Sequence, residues 1–279
     1  MASQVEHKKI TRLKNDSVSN VDDLLAVEEP MQIKLLYWQD DEPVDTNISI
    51  TMRTPGHEFE LAVGFLFTEG IVSEPAHIDS VSYCKKALSE GKENVVKVML
   101  KKNAPVQLPH AERNFYISGS CGVCGKTAIE SLEQSSCYVI DFNFKVSPQQ
   151  LFLLKDQMQA AQFNFKYTGG IHACALFDEH GNMMQMREDI GRHNALDKLI
   201  GHEVLQQQLP IEKTILLLSG RISFELVQKA VMAGIPFICG VGAPTSLAVD
   251  TAERAGLTLI GFLKETSFNI YTHPQRVLL

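Results

Sequence analysis

Hydrophobic and polar positions alternate over residues 47–52, where Ile48, Ile50 and Met52 stand against Asn47, Ser49 and Thr51, the period-two signature of a half-buried strand. Residues 33–38, Ile33-Lys34-Leu35-Leu36-Tyr37-Trp38, read as its partner, and the acidic stretch 40–45 joins the two as a hairpin. Thr54-Pro55 offers an N-cap and a proline at the first helical position, so a helix is predicted from there through Leu61, Ala62, Phe65 and Leu66 to Gly70. A further strand is predicted at 95–100. Residues 1–25 are polar, carry Asn, Asp and Ser clusters and show no period, which predicts a loosely held arm. The expected first unit is therefore a small α+β domain over 26–115.

The pattern changes in the second half, with a helix predicted at 128–134, a strand at 137–142, a helix opened by Ser147-Pro148 and running to 162, and a strand at 171–177. From residue 214 the order is strand 214–218, helix 223–233, strand 235–239, helix 246–255 and strand 257–263. Short apolar strands between amphipathic helices predict an α/β domain over 116–279 whose largely parallel sheet is covered on both faces. Ligands of such sheets gather beyond the carboxyl ends of the strands, so Ser219-Gly220-Arg221, Gly240 to Pro244 and the segment after Leu263 are expected to converge.

At 279 residues and 44% hydrophobic, the chain has material for two modest domains. A net charge of -7, from 26 Lys plus Arg against 33 Asp plus Glu, argues against a duplex nucleic-acid binder. No run of 18 apolar residues occurs and the first 25 residues carry charge throughout, which predicts a cytoplasmic protein with no membrane segment. Six irregularly spaced cysteines do not make a disulfide framework. Cys84, Cys137, Cys174 and Cys239 stand singly, the last three in or beside apolar runs where a thiol packs as a small hydrophobe.

Cys121 and Cys124 differ from those four. They lie in Ser118-Gly119-Ser120-Cys121-Gly122-Val123-Cys124-Gly125, a glycine-rich loop predicted to close onto a helix, where Lys126 and the helix start favour the thiolate. Such a cysteine accepts sulfane sulfur as a persulfide, and a neighbour three residues away can attack or protect it. Half of a zinc site and a thioredoxin-type dithiol are the alternatives, although no second Cys-x-x-Cys pair supplies further zinc ligands. A zinc deaminase needs His-x-Glu and Pro-Cys-x-x-Cys, and the cysteine pair here lacks the preceding proline.

Arg187-Glu188-Asp189-Ile190-Gly191-Arg192-His193-Asn194-Ala195-Leu196-Asp197-Lys198 forms a second polar patch, preceded by Thr168-Gly169-Gly170-Ile171-His172. It predicts a helix capped near Asp189 or Gly191 with Arg192 and His193 in the first turn. Cations there oppose the helix dipole, and binding an anion accounts for them; surface pairing of Glu188 and Asp189 with Arg187 and Arg192 is the plainer alternative. His172 is equally a core histidine or a site residue. The turns Ser219-Gly220-Arg221 and Gly242 to Ser246 put small and hydroxyl residues between strand ends and helix starts, which suits a phosphate beside Arg221.

On Cys121 to Gly125, Arg187 to Lys198, Ser219 to Arg221, Leu247-Ala248-Val249-Asp250 and Tyr271 to Arg276, the chain resembles the formate dehydrogenase accessory sulfurtransferases, the FdhD family, over roughly residues 30–276. The resemblance implies a cytoplasmic homodimer whose larger domain is a cytidine-deaminase-like three-layer α/β/α unit. It implies a sulfurtransferase that takes sulfur from a cysteine desulfurase on Cys121, with Cys124 in support. The acceptor it implies is the molybdenum bis-pyranopterin guanine dinucleotide cofactor, destined for formate dehydrogenase. Cofactor contact maps by resemblance to Phe262, Leu263, Lys264, Glu265, Thr266 and Ser267. Glu265 and Ser267 stand where relatives commonly carry basic or glycine residues, which leaves Lys264, with Arg221, Arg192 and His193, as the phosphate-suited side chains.

Overall fold

The computed structural model describes residues 3–84, 94–108, 138 and 145–279. The chain opens on a hairpin where a loose arm was expected: β1 (Val5–Lys14) and β2 (Ser17–Ala26) pair antiparallel along their full length. Asn15 and Asp16 form the turn at φ 47° and 61°, a left-handed conformation that Asn and Asp tolerate. Both faces of this ribbon are largely open to solvent, so its apolar residues are scattered among polar ones and no alternation marks the strands.

The next hairpin forms where it was predicted, but the facing of its second strand is corrected: Ile50 and Met52 are exposed while Ser49 and Arg53 are buried, because the register shifts opposite Ile48. β3 (Glu29–Gln39) pairs with β4 (Glu42–Arg53) through a turn of only Asp40 and Asp41. Helix α1 (Glu58–Thr68) starts later than Thr54-Pro55 suggested, and its N-cap is His57 at φ 61°. Thr54 cannot cap it, because Thr54 is held by the second half of the chain: its N–H donates to Asp189, its hydroxyl accepts from the Ile190 N–H, and its carbonyl accepts from Lys198. β5 (Ile78–Tyr83) and β6 (Val95–Leu100) complete a four-stranded sheet in the order β4-β3-β6-β5.

The second half supplies α2 (Pro148–Ala161), α3 (Phe163–Thr168), β7 (His172–Asp178), β8 (Met183–Asp189), α4 (Arg192–Leu205), β9 (Thr214–Leu218), α5 (Phe224–Met232), β10 (Phe237–Gly240), α6 (Ser246–Arg254), β11 (Thr258–Gly261) and β12 (Asn269–Thr272). Ser147 and Gln150 form the capping box that opens α2. The six-stranded sheet runs β12-β11-β10-β9-β7-β8, and parallel pairing between neighbours is confined to β9, β10 and β11. The expectation of a largely parallel sheet is corrected to a mixed one: β8 returns from β7 as a hairpin and β12 folds back on β11. The predicted helix at 128–134, almost all of the predicted strand at 137–142 and the boundary between 115 and 116 lie outside the described residues.

Successive residues of the sheet point into different layers. Ala173, Ala175, Phe177, Ile215 and Leu217 pack with Leu151, Leu154 and Met158 of α2. Cys174, Leu176, Leu216 and Leu218 pack with Leu196 and Leu199 of α4, Leu226 of α5 and Ala248 of α6. That second core continues through Leu61 and Phe65 of α1 into Ile33, Val96 and Val98 of the smaller sheet.

Helices α1 and α4 meet backbone to backbone. A Cβ on Gly64 would lie 1.9 Å from the Asp197 carbonyl oxygen, and one on Gly201 would lie 1.8 Å from that of Glu60. Only glycine permits this approach, and beside it the Glu60 side chain of α1 meets Arg187 of β8.

Candidate functional site

The three predicted loops converge beyond the carboxyl ends of β9, β10 and β11. The Gly242 N–H donates to the Gly220 carbonyl (3.1 Å), Ile222 to Ala243 (3.0 Å), Phe262 to Gly242 (3.1 Å) and Leu263 to Gly240 (3.0 Å). A Cβ on Gly242 would come within 2.8 Å of the Arg221 nitrogen and one on Gly261 within 2.7 Å of Pro244 Cδ, so these glycines let the loops stack into a floor.

Side chains above the floor sort by exposure. Arg221, Lys264, Glu265, Thr266 and Ser267 are exposed, and the Lys264 N–H closes a tight turn onto the Ser267 carbonyl at 2.9 Å. Leu263 is fully buried in the core, so of the stretch 262–267 it offers a ligand only its backbone. Phe262 holds φ 54° and leaves 40% of its surface exposed. A bulky residue in the left-handed region is strained and persists only where its surroundings hold it there.

The opposite wall is built by β7 and the start of α4. The Ala173 N–H donates to Ser219 Oγ (2.9 Å) and the Ser219 N–H to the Ala173 carbonyl (3.0 Å), tying the ends of β7 and β9 together. His172, the first residue of β7, consequently lies against Gly220, where a Cβ would sit 3.4 Å from both Cε1 and Nδ1 of its ring. Burial, joined by the charges of Arg192 and His193, pushes His172 below the usual histidine range. His193 Nε2 lies 3.4 Å from both Ser223 Oγ and Glu225 Oε2. The hydrogen bond from His193 pulls Glu225 down to about 2, with Ser223 adding to it against the opposing effect of burial. Arg192 Nε is buried and has no hydrogen-bond partner among the described residues.

The rest of the 187–198 motif is structural. Arg187 clasps Glu60 of α1 through two bonds of 2.5 and 2.7 Å. Burial would raise Glu60, but the bonds from Arg187 and then His57 outweigh it and hold the carboxyl at about 2. Glu188 accepts the N–H groups of Asn164 and Phe165 at the start of α3, each at 3.1 Å. Asp189 and Lys198, both fully buried, pair at 2.7 Å. Asp197 accepts the Thr68 hydroxyl at 2.7 Å and pairs with Lys229 at 3.0 Å. Surface pairing of Glu188 and Asp189 with Arg187 and Arg192 is thus corrected: Arg187 pairs with Glu60, Glu188 with the start of α3, and Asp189 with the buried Lys198.

Residues 26–278 match the family model described as the FdhD/NarQ family. The chain belongs to that family. A protein named sulfur carrier protein FdhD from Streptomyces avermitilis is 44% identical, with 100% of this chain and 98% of that protein covered. Proteins of the same name from Sulfurisphaera tokodaii and Mycobacterium tuberculosis are 43% and 41% identical, each over 99% of this chain and 100% of their own length. The crystal structure of a protein assigned as a formate dehydrogenase accessory protein, from Desulfotalea psychrophila, superposes with a TM-score of 0.76 at 22% identity, covering 99% of this chain and 100% of that one. That likeness shows a shared fold over nearly the whole chain.

The thiols follow in the same light. Cys121 and Cys124 lie outside the described residues, as does Cys137. Cys174 and Cys239 are wholly buried, and burial pushes both thiols well above the usual range; neither is a nucleophile at neutral pH. Sequence reasoning missed Ser223 and Glu225 as partners of His193, and no local spacing signals them, because they come from the helix after the next strand. No described helix is long and apolar enough to cross a membrane.

Proposed function

We propose that this protein is a sulfurtransferase serving formate dehydrogenase maturation: Cys121 takes sulfane sulfur from a cysteine desulfurase as a persulfide and passes it to the molybdenum bis-pyranopterin guanine dinucleotide cofactor. The observation that carries the reading is full-length identity of 41 to 44% to several proteins named sulfur carrier protein FdhD. The thiols at 174 and 239 are chemically silenced by burial, which favours the glycine-framed pair Cys121 and Cys124 for the chemistry. In the transfer step the Cys121 thiolate attacks the outer sulfur of the donor persulfide, a sulfur–sulfur bond forms on Cys121, and the donor leaves as a thiolate.

The acceptor, a dinucleotide with several phosphates, is the substrate of this reading. The strand-end floor supports it with Arg221, Lys264, Arg192 and His193 for phosphate and with the exposed ring of Phe262 for the base. The layering of the large sheet between α2 and the α4-α5-α6 side favours the cytidine-deaminase-like arrangement for the second half, and we place the protein in the cytoplasm as a homodimer on the same reading. The test is complementation: Cys121→Ala, expressed in cells lacking the native protein, leaves formate dehydrogenase inactive while the wild-type chain restores it. Full restoration by Cys121→Ala contradicts sulfur relay and favours a cofactor chaperone.

A further inference from the structure

Helix α3 is set into the fold inside out. Of its six residues only Asn164 is buried, whereas Phe163, Phe165 and Tyr167 leave 66%, 42% and 48% of their surface open. Single exposed apolar residues are ordinary, but three aromatic rings crowded onto less than two helical turns are not. Polar anchors impose this orientation. Glu188 Oε2 accepts from both the backbone and the side-chain amide of Asn164, each at 3.1 Å, and Glu188 Oε1 accepts from the Phe165 N–H. The Asn164 amide also donates to Gln4 at 2.7 Å, and Gln4 in turn donates to the Pro55 carbonyl at 2.8 Å. Turning the aromatic side inward would break these bonds, so they hold the rings in solvent.

The exposed arc has a definite shape. At about 100° per residue, Phe163 and Tyr167 fall on one flank of the exposed Lys166 and Phe165 on the other. Phe163 and Tyr167 meet edge to face with ring centroids 4.9 Å apart, so that flank is organised before anything binds. A ridge with apolar flanks and a cation on its crest fits a groove with apolar walls and a carboxylate at its base. Gly169, at φ 64°, ends the helix, and five residues along the chain from Tyr167 stands His172, on the wall of the strand-end floor. The two Cα atoms are therefore at most about 18 Å apart, and a protein seated on the ridge lies alongside whatever the floor holds.

We propose that α3 is the docking ridge for the protein that receives the cofactor from the strand-end floor, engaged through an apolar groove with an acidic base. The name of that protein, formate dehydrogenase, rests on the function proposed above. The receiver is the occupant, and the sulfur donor is not, because the ridge adjoins the surface from which the cofactor leaves.

Binding of purified, cofactor-free formate dehydrogenase to the immobilised full-length protein, measured by biolayer interferometry, tests the ridge in the wild type, Phe163→Ser/Tyr167→Ser and Lys166→Glu. The altered side chains face solvent, so both variants should melt with the wild type. The double variant should weaken binding about thirtyfold or more, the effect of losing aromatic anchors at the centre of an interface. Lys166→Glu should weaken it on the order of tenfold, with the larger loss at low salt. Wild-type affinity in the melt-stable double variant, or no binding of formate dehydrogenase by the wild type, overturns the ridge. Binding to a cysteine desulfurase, binding to phosphatidylglycerol vesicles and the sedimentation coefficient of the protein alone should be the same in wild type and double variant; a change in any of these, with formate dehydrogenase binding intact, assigns α3 to another occupant and overturns the proposal. Sulfur loading of Cys121 on the same samples separates the ridge from the sulfur reading: docking lost with loading intact leaves the sulfur reading standing, and ridge-dependent docking without loading leaves the ridge standing.

Discussion

At the scale of single residues, the 187–198 motif shows how neighbours in sequence divide their work. Lys198 and Asp189 are fully buried as a pair, and Asp189 also accepts from the Thr54 and Gly191 N–H groups. Removing one partner leaves a buried charge uncompensated, so Lys198→Met should cost about 3–5 kcal/mol in chemical denaturation. Glu60 gives a signed pH dependence. Its folded value of about 2 lies below the ordinary 4.5, so its contribution is complete above pH 4.5 and is lost as pH falls from there through 2. Urea midpoints measured across that window should fall steeply for the wild type and less steeply for Glu60→Gln, which begins from a lower stability at neutral pH. Equal slopes would mean that the clasp with Arg187 has no part in acid sensitivity. The sequence flagged this motif by its charge density; it could not reveal that Glu60 and Thr68 lie opposite, because the partners are 127 and 129 residues away.

At the scale of elements, what was legible followed burial on one face. β3, β6, β7 and the alternation from β9 to β11 were readable from their apolar positions, whereas β4 was found by its alternation but faces the other way, with Ile50 and Met52 exposed and Ser49 and Arg53 buried. β1 and β2 escaped because a ribbon wet on both faces has no reason to alternate, and β8 and β12 escaped because edge strands need only one apolar side. The late start of α1 was illegible for a different reason: Thr54 has good capping chemistry, but its groups are already spent on Asp189, Ile190 and Lys198. The contact between α1 and α4 makes the sharpest prediction here. Gly64→Ala or Gly201→Ala puts a methyl group inside the van der Waals radius of a backbone carbonyl, and should lower stability by about 3 kcal/mol or more. Gly169→Ala, where nothing lies within 4 Å, should cost about 1 kcal/mol through its φ of 64° alone. Thermal melts of the three variants check this; comparable losses at all three positions would contradict the close approach.

At the scale of the whole molecule, the two sheets share one core through α1 and α4, and the strand-end floor lies at the edge of the larger one. Convergence of the floor was foreseeable from topology, since loops leaving parallel strands emerge on one side. Its specific chemistry was foreseeable only in part: Arg221, Lys264, Arg192 and His193 stood out as cations near turns, whereas burial of Leu263 and the pairing of His193 with Ser223 and Glu225 depend on packing between distant elements. The pair Cys121 and Cys124, proposed as the reactive thiols, was marked in the sequence by its glycine framing. The central claim is relay of sulfur through Cys121, and mass spectrometry of the intact protein and its peptides, after incubation with a cysteine desulfurase and cysteine under non-reducing conditions, tests it most directly. The account predicts a gain of one sulfur atom on the peptide carrying Cys121, removed by a reductant and absent in Cys121→Ala; no gain, or a gain confined to another cysteine, would contradict it.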